Sequence, residues 1–180
     1  MKKFKPGDIL ISSTEIQKRI KEIAPKMARK FKGKRLLVIG ILKGGLLIMS
    51  DLGKELYKAG LTDITLDFMR VESYGTGTES STVLKIVHDI TTDPHGRNIL
   101  IVDDINDTNL TITGIIQHLK KRGAASISTF VLLEKRDRHK IPFQPDFVGF
   151  QIPNVFVGGY GLDFDQYDRF STNIIVGPKS

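Results

Sequence analysis

The sequence predicts an α/β fold, a mainly parallel twisted sheet flanked by helices on both faces. Three observations lead there. Leu36-Leu37-Val38-Ile39-Gly40-Ile41 and Asn98-Ile99-Leu100-Ile101-Val102 are short, continuous apolar runs, the pattern of strands buried on both sides. Strand-like and helical segments alternate along the chain, which implies right-handed crossovers and parallel neighbours. Both apolar runs also end in unusual turns, Lys43-Gly44-Gly45 after the first and Asp103 to Thr111 after the second. Ligands bind such sheets beyond the carboxyl ends of the strands.

The elements follow in order. Ser12 and Glu15 have capping-box spacing and start the first helix. Ile16, Ile20, Ile23, Met27 and Phe31 recur at helical spacing, while Pro25 predicts a kink or break and Gly33 the end. The Leu36 to Ile41 strand turns through Lys43-Gly44-Gly45 into a helix from Leu46 to Tyr57, closed by Gly60. Ile64 to Val71 is the next strand. Glu72 to Thr82 is small, polar and glycine-bearing, which predicts a long mobile loop or a loose hairpin, with Val83 to Val87 returning.

After the Asn98 to Val102 strand comes a helix carrying Ile112, Ile115, Ile116 and Leu119. Lys120-Lys121-Arg122 complements the dipole at its C-terminal end, and Gly123 ends it. Ser126 to Leu133 is a further strand. The stretch from about Pro145 has short strand-like pieces and many turn residues. It predicts a small hood beside the sheet, formed by residues 145–180 together with the N-terminal segment, within one domain spanning residues 1–180.

Composition narrows the function classes. A length of 180 residues fits one domain with a substantial core. With 40% hydrophobic and 26% charged residues, a disordered chain is excluded. There is no Cys, so disulfides, thiolate metal sites and a cysteine nucleophile are excluded, in keeping with a reducing compartment. Met1 to Asp8 is charged and no apolar stretch reaches bilayer length, so an unprocessed, soluble, cytoplasmic protein with no membrane partner is expected. The net charge of +7 favours anionic partners: nucleic acid, anionic lipid or phosphorylated small molecules. Lys18 to Lys34 and Lys135 to Lys140 carry much of that charge, and a solvated basic face is the plain reading of both.

The chemistry concentrates at two strand ends. Asp103-Asp104-Ile105-Asn106-Asp107 places three carboxylates directly after a buried strand, and Thr108-Asn109-Leu110-Thr111 leads into a helix. Helix N-terminal N–H groups and two hydroxyls suit a phosphate monoester. The carboxylates would repel that phosphate, so they suit sugar hydroxyls, a Mg²⁺ ion or a proton to be abstracted. The combination fits a sugar phosphate; an acidic turn with an N-cap is the structural alternative. At Lys43-Gly44-Gly45, glycine permits positive φ and close approach to an anion such as pyrophosphate. A plain strand-to-helix turn explains the same residues.

Ile99 to Thr108 closely resembles the phosphoribosyl-pyrophosphate-binding motif of type I phosphoribosyltransferases: an apolar strand, two acidic residues, a variable pair, then Asp-Thr-Gly-x-Thr. Further matches resemble the hypoxanthine-guanine branch of that family. They are Leu42-Lys43-Gly44-Gly45, Asp67-Phe68-Met69-Arg70 with Ser73-Tyr74, and Leu132-Leu133-Glu134-Lys135-Arg136. Pro145 to Pro153 and Phe156 to Asp163 complete the set. In order, they cover about residues 35–170.

The resemblance implies the type I phosphoribosyltransferase fold and transfer of a 5-phosphoribosyl group from phosphoribosyl pyrophosphate to hypoxanthine or guanine. Asp103 and Asp104 would hold the ribose hydroxyls, partly through Mg²⁺, and Asp163 a second Mg²⁺. Asp107 would transfer the proton near purine N7. Thr108, Asn109, Leu110 and Thr111 would cradle the 5-phosphate. Lys43, Gly44 and Arg169 would meet pyrophosphate, and Ser73 and Tyr74 would close over the site. Lys135 would donate to purine O6, Phe156 would stack on the base, and Val157 would meet it through its backbone. A homodimer or homotetramer is implied as well.

An ammonium donates only, so Lys135 would select a 6-oxo over a 6-amino purine. Xanthine, which shares the 6-oxo group, is the nearest rival base. A non-catalytic, nucleic-acid-binding nucleotide sensor is the rival of another class. The joint presence of Lys43, Asp107, Lys135 and Asp163 argues against it, so nucleic acid is not an expected partner.

Each residue also has an ordinary reading: Lys135 in a solvated run, Phe156 in the core, Arg169 in a surface ion pair. The sequence departs from the family pattern at Asn109, where glycine is usual, and at Asp168, where an aromatic is common. Asn109 is expected to keep the left-handed turn, to place a side chain beside the phosphate, and so to weaken binding. Asp168 is expected to pair with Arg169.

Overall fold

A computed structural model of the chain describes residues 4–75 and 82–178. Its main sheet has six strands: β2 (Leu36–Leu42), β3 (Ile64–Gly75), β4 (Thr82–His88), β5 (Asn98–Asn106), β6 (Ser126–Glu134) and β7 (Phe147–Gln151). Their order is β4-β3-β2-β5-β6-β7. All pairs are parallel except β3 with β4, which run antiparallel.

Alternation along the central strands splits the core in two. Leu36 and Val38 of β2, Leu100 and Val102 of β5, and Phe130 and Leu132 of β6 face one side. There they meet α1 (Ser13–Phe31) and α2 (Leu46–Lys58). Leu37, Ile39, Ile41, Ile99 and Ile101 face the other, under Ile115 and Leu119 of α3 (Leu110–Lys121). A two-residue period thus becomes two apolar layers, each large aliphatic contributing about 1.5–3 kcal/mol.

The capping box is present. Ser12 accepts from the Glu15 backbone, and the Glu15 carboxylate accepts from the Ser12 N–H at 2.8 Å. Ile16, Ile20, Ile23, Met27 and Phe31 are all buried. Pro25 does not break the helix; α1 runs unbroken through it. Pro25 and Lys21, whose carbonyl loses its donor, are both exposed, so water can satisfy that group.

Of the loop or hairpin expected from Glu72, the described residues form the hairpin, with longer strands than expected. β3 continues to Gly75, with Ser73 opposite Leu84 and Tyr74 opposite Val83, and the return strand begins at Thr82. Residues 76–81 lie outside the described residues. β4 packs against α3 through a notch: a Cβ on Gly114 would lie 2.8 Å from Leu84.

The C-terminal stretch divides. β7 joins the main sheet beside β6. A separate antiparallel sheet is formed by β1 (Ile9–Ile11), β9 (Ile174–Val176) and β8 (Val157–Gly158). Among the described residues, no helix is long and apolar enough to cross a membrane.

Candidate active site

β2 and β5 are neighbours at the centre of the sheet, but the chain leaves them in opposite directions, β2 through α2 to β3 and β5 through α3 to β6. That reversal opens a crevice at their carboxyl ends. A cavity of ≈ 200 Å³ lies there, lined by Gly44, Asp103, Asp104 and Thr111 among others. Larger cavities of ≈ 630 and ≈ 740 Å³ lie along α1 and at the amino ends of β2 and β3. They touch neither strand-end loop, so chemistry and topology both favour the smaller one.

Asp103 is buried at the end of β5. Burial first, then the neighbouring Asp104 charge, holds its carboxyl well above the usual range. Burial also raises Asp104, against hydrogen bonds from Asp103 and the Ile105 backbone and the charge of Arg169. The pair therefore resists double ionisation until a cation or polyhydroxyl ligand arrives. Its hard oxygens fit Mg²⁺, which commonly takes one or two carboxylates, substrate oxygens and water. Among the described residues, no group of three or more acidic or imidazole side chains gathers to hold a metal.

Gly44 owes its identity to this pair. A Cβ there would lie 1.7 Å from Asp104 Oδ2, and one on Gly45 would lie 2.6 Å from the Ile41 carbonyl. Neither glycine has positive φ, so close approach, not turn handedness, requires them. The Leu42–Lys43 peptide is cis.

The segment after β8 folds onto this loop, because Gly161 lets the Gly44 carbonyl approach to where a Cβ would sit 2.0 Å away. Lys43, Asp163 and Arg169 are thereby brought together. Lys43 Nζ and Arg169 Nη2 both donate to Gln166 Oε1, at 2.9 and 3.2 Å. Arg169 pairs with Asp163 at 2.7 Å, and the Gln166 N–H donates to Asp163 Oδ2. The ordinary ion-pair reading of Arg169 holds, with Asp163 as partner and not the expected Asp168. Asp168 is exposed and in the left-handed region. Gln166 was missed in the sequence because it lies in no motif.

On the other flank, Asp107 sits between two cations: Arg138 Nε donates to Oδ1 at 2.6 Å, and Lys135 Nζ lies 3.7 Å from Oδ2. Lys135 is not solvated; its side chain is 8% exposed. Burial lowers its pKa, opposed by Asp107 and reinforced by Arg138. The basic cluster thus divides, Lys135 and Arg138 serving Asp107 while Arg136 and His139 face buried Glu134. The three-residue spacing from Lys135 was the available signal for Arg138.

Thr108 to Thr111 open α3: the N-cap residue Asn109 makes no side-chain cap bond, the Leu110 N–H donates to Thr108 Oγ1 at 3.4 Å, and Thr111 lines the crevice. Asn109 is left-handed, with φ 67°, as expected. Its side chain, however, does not lie beside a phosphate. It is buried at 1% exposure and points into the protein.

Phe156 is 45% exposed and so no core residue. Its ring lies 5.2 Å from that of Phe164, on a cavity of ≈ 350 Å³ that Arg138 also lines. Val157 is buried and pairs with Val176. Ser73 and Tyr74 are in β3; their side chains lie outside the described residues.

This constellation has counterparts. Residues 10–165 match the phosphoribosyl transferase domain model. A hypoxanthine-guanine phosphoribosyltransferase of Bacillus subtilis is 42% identical over 89% of this chain and 87% of its own. One from Aquifex aeolicus is 37% identical over 89% of each. The crystal structure of a Staphylococcus aureus hypoxanthine phosphoribosyltransferase superposes with a TM-score of 0.89 at 34% identity, covering 95% of this chain and 91% of that one. The chain belongs to the phosphoribosyltransferase family. Within it, these relatives place the chain in the hypoxanthine-guanine branch, whose enzymes serve purine salvage.

Proposed function

We propose that this chain transfers the 5-phosphoribosyl group from phosphoribosyl pyrophosphate to hypoxanthine or guanine, releasing pyrophosphate and forming IMP or GMP. The observation that carries the reading is buried Lys135 beside Asp107, which lies on the loop that leads into the N-terminus of α3. One group there donates to a 6-oxo oxygen, one accepts a proton, and the helix end receives a phosphate.

Loss of pyrophosphate leaves positive charge on the ribose. Lys43 and Arg169, already sharing one oxygen acceptor, would bind the departing anion. Asp103 and Asp104 would hold the ribose hydroxyls and Mg²⁺, and Asp163 would serve a second ion. Bound Mg²⁺ supplies charge neutralisation to the leaving group. Asp107, kept in place by Arg138, would hold the proton near purine N7. Phe156 offers an exposed ring face for stacking, Val157 a backbone contact, and Ser73 and Tyr74 would exclude water. The whole chain acts as one domain, with the small sheet as its base-binding hood.

We place the protein in the cytoplasm as a homodimer or homotetramer. Exposed Leu46 and Tyr57 on α2 and Leu66 on β3 support self-association. The deciding experiment gives purified protein phosphoribosyl pyrophosphate, Mg²⁺ and, separately, hypoxanthine, guanine, xanthine or adenine. Turnover of hypoxanthine or guanine, abolished by chelation and absent with adenine, is expected. Preference for xanthine, or turnover of none, refutes the assignment.

A further inference from the structure

Asn109 replaces a family glycine, yet its side chain is fully engaged. Nδ2 donates to the carbonyls of Ile141 at 2.7 Å and Phe143 at 3.1 Å. Oδ1 accepts from Asn106 Nδ2 at 2.6 Å. Both amide hydrogens and the oxygen thus have protein partners, at a position only 1% exposed.

The partners matter more than the count. Ile141 and Phe143 belong to the segment that begins at Lys135. That segment is joined to the β5–α3 loop at other points too. Lys135 N donates to Asn106 O at 3.0 Å, and Lys140 N donates to Thr108 O at 3.1 Å. A glycine could supply the same φ but none of the side-chain bonds.

We infer that Asn109 is a positioning residue that fixes the separation between the phosphate-holding loop and the purine-reading segment. It rests on the proposed reaction, since it takes residues 108–111 for the 5-phosphate and Lys135 for the base. A nucleoside monophosphate spans both arms, and ribose 5-phosphate occupies one. Asn109 therefore contributes to nucleotide affinity beyond its effect on the phosphate loop alone. The same geometry reverses the expectation from sequence that this side chain hinders the phosphate.

The test compares binding of IMP and ribose 5-phosphate by calorimetry to the wild-type chain, Asn109→Gly and Asn109→Asp. Glycine keeps the left-handed turn and deletes the tether. Aspartate keeps the acceptor for Asn106 and turns a second oxygen towards two carbonyls. IMP affinity is expected to fall at least about five-fold more than ribose 5-phosphate affinity in each variant, the worth of one hydrogen bond. KM for hypoxanthine should rise while kcat changes less. Equal losses for the two ligands, or unchanged or tighter IMP binding in Asn109→Gly, overturn the inference. Should Asn109→Gly fail to fold, Asn109→Asp decides alone by the same comparison. Failure of the wild-type chain to bind IMP would instead overturn the proposed function.

Discussion

Replacing Lys135 with methionine should separate recognition of the base from everything else the site does. The ammonium has three donors but faces one carboxylate, at 3.7 Å, from a side chain 8% exposed. Purine O6 would supply a further acceptor for it. A hydrogen bond involving a charged group is worth about 1.5–3 kcal/mol, which corresponds to roughly 10- to 150-fold in affinity. Methionine matches the length without charge or donor. Initial rates with each substrate varied in turn should show KM for hypoxanthine rising by that factor, with KM for phosphoribosyl pyrophosphate within about three-fold of wild type.

Stability should move the other way. Burial lowers the pKa of Lys135 below its ordinary 10.5. Between the folded and unfolded values the unfolded chain binds more protons, so stability rises with pH through that window. It is complete above 10.5 and lost as pH falls to the folded value. At neutral pH the charged side chain is a liability, and Lys135→Met should raise Tm while lowering activity. A hypoxanthine KM changed less than about three-fold, or two KM values raised equally, would refute this role for Lys135.

Gly44→Ala should lower kcat/KM for phosphoribosyl pyrophosphate by about ten-fold or more, because its methyl would occupy the space of Asp104 Oδ2. Gln166→Ala should lower KM for the same substrate by about two- to five-fold, since Lys43 and Arg169 would lose a competing acceptor; a raised KM would contradict the geometry. Ser12→Ala should cost about 1 kcal/mol in chemical denaturation with kinetics unchanged, the capping box lying far from the crevice in function.

The central strands were legible because burial on both faces leaves an unbroken apolar run, as in Leu36 to Ile41. The acidic turn and Lys43 were legible because their chemistry is local in sequence. The errors arose where distant groups decide. Pro25 is tolerated because its side of α1 faces water. β3 extends to Gly75 because β4 pairs with it, although Ser73 to Gly75 has loop composition. Phe147 to Gln151 joins the main sheet through β6, a partner that no local pattern reveals. Arg169 chooses Asp163 over its neighbour Asp168, and Asn109 turns inward to carbonyls more than thirty residues away in sequence. Direction of a side chain is a tertiary property, and spacing alone does not encode it.

The notch at Gly114 extends the set of positions that matter beyond the motifs. Leu84 of β4 rests where a larger residue would project, one helical turn after the loop that opens α3. A methyl introduced there must turn the Leu84 side chain aside, and a bulkier group would press on the strand behind it. A saturation screen scored on substrate affinity should therefore find position 114 tolerant of alanine and progressively less so of bulkier residues. Mutational sensitivity in this protein follows the fit between its supporting elements as well as the chemistry they carry.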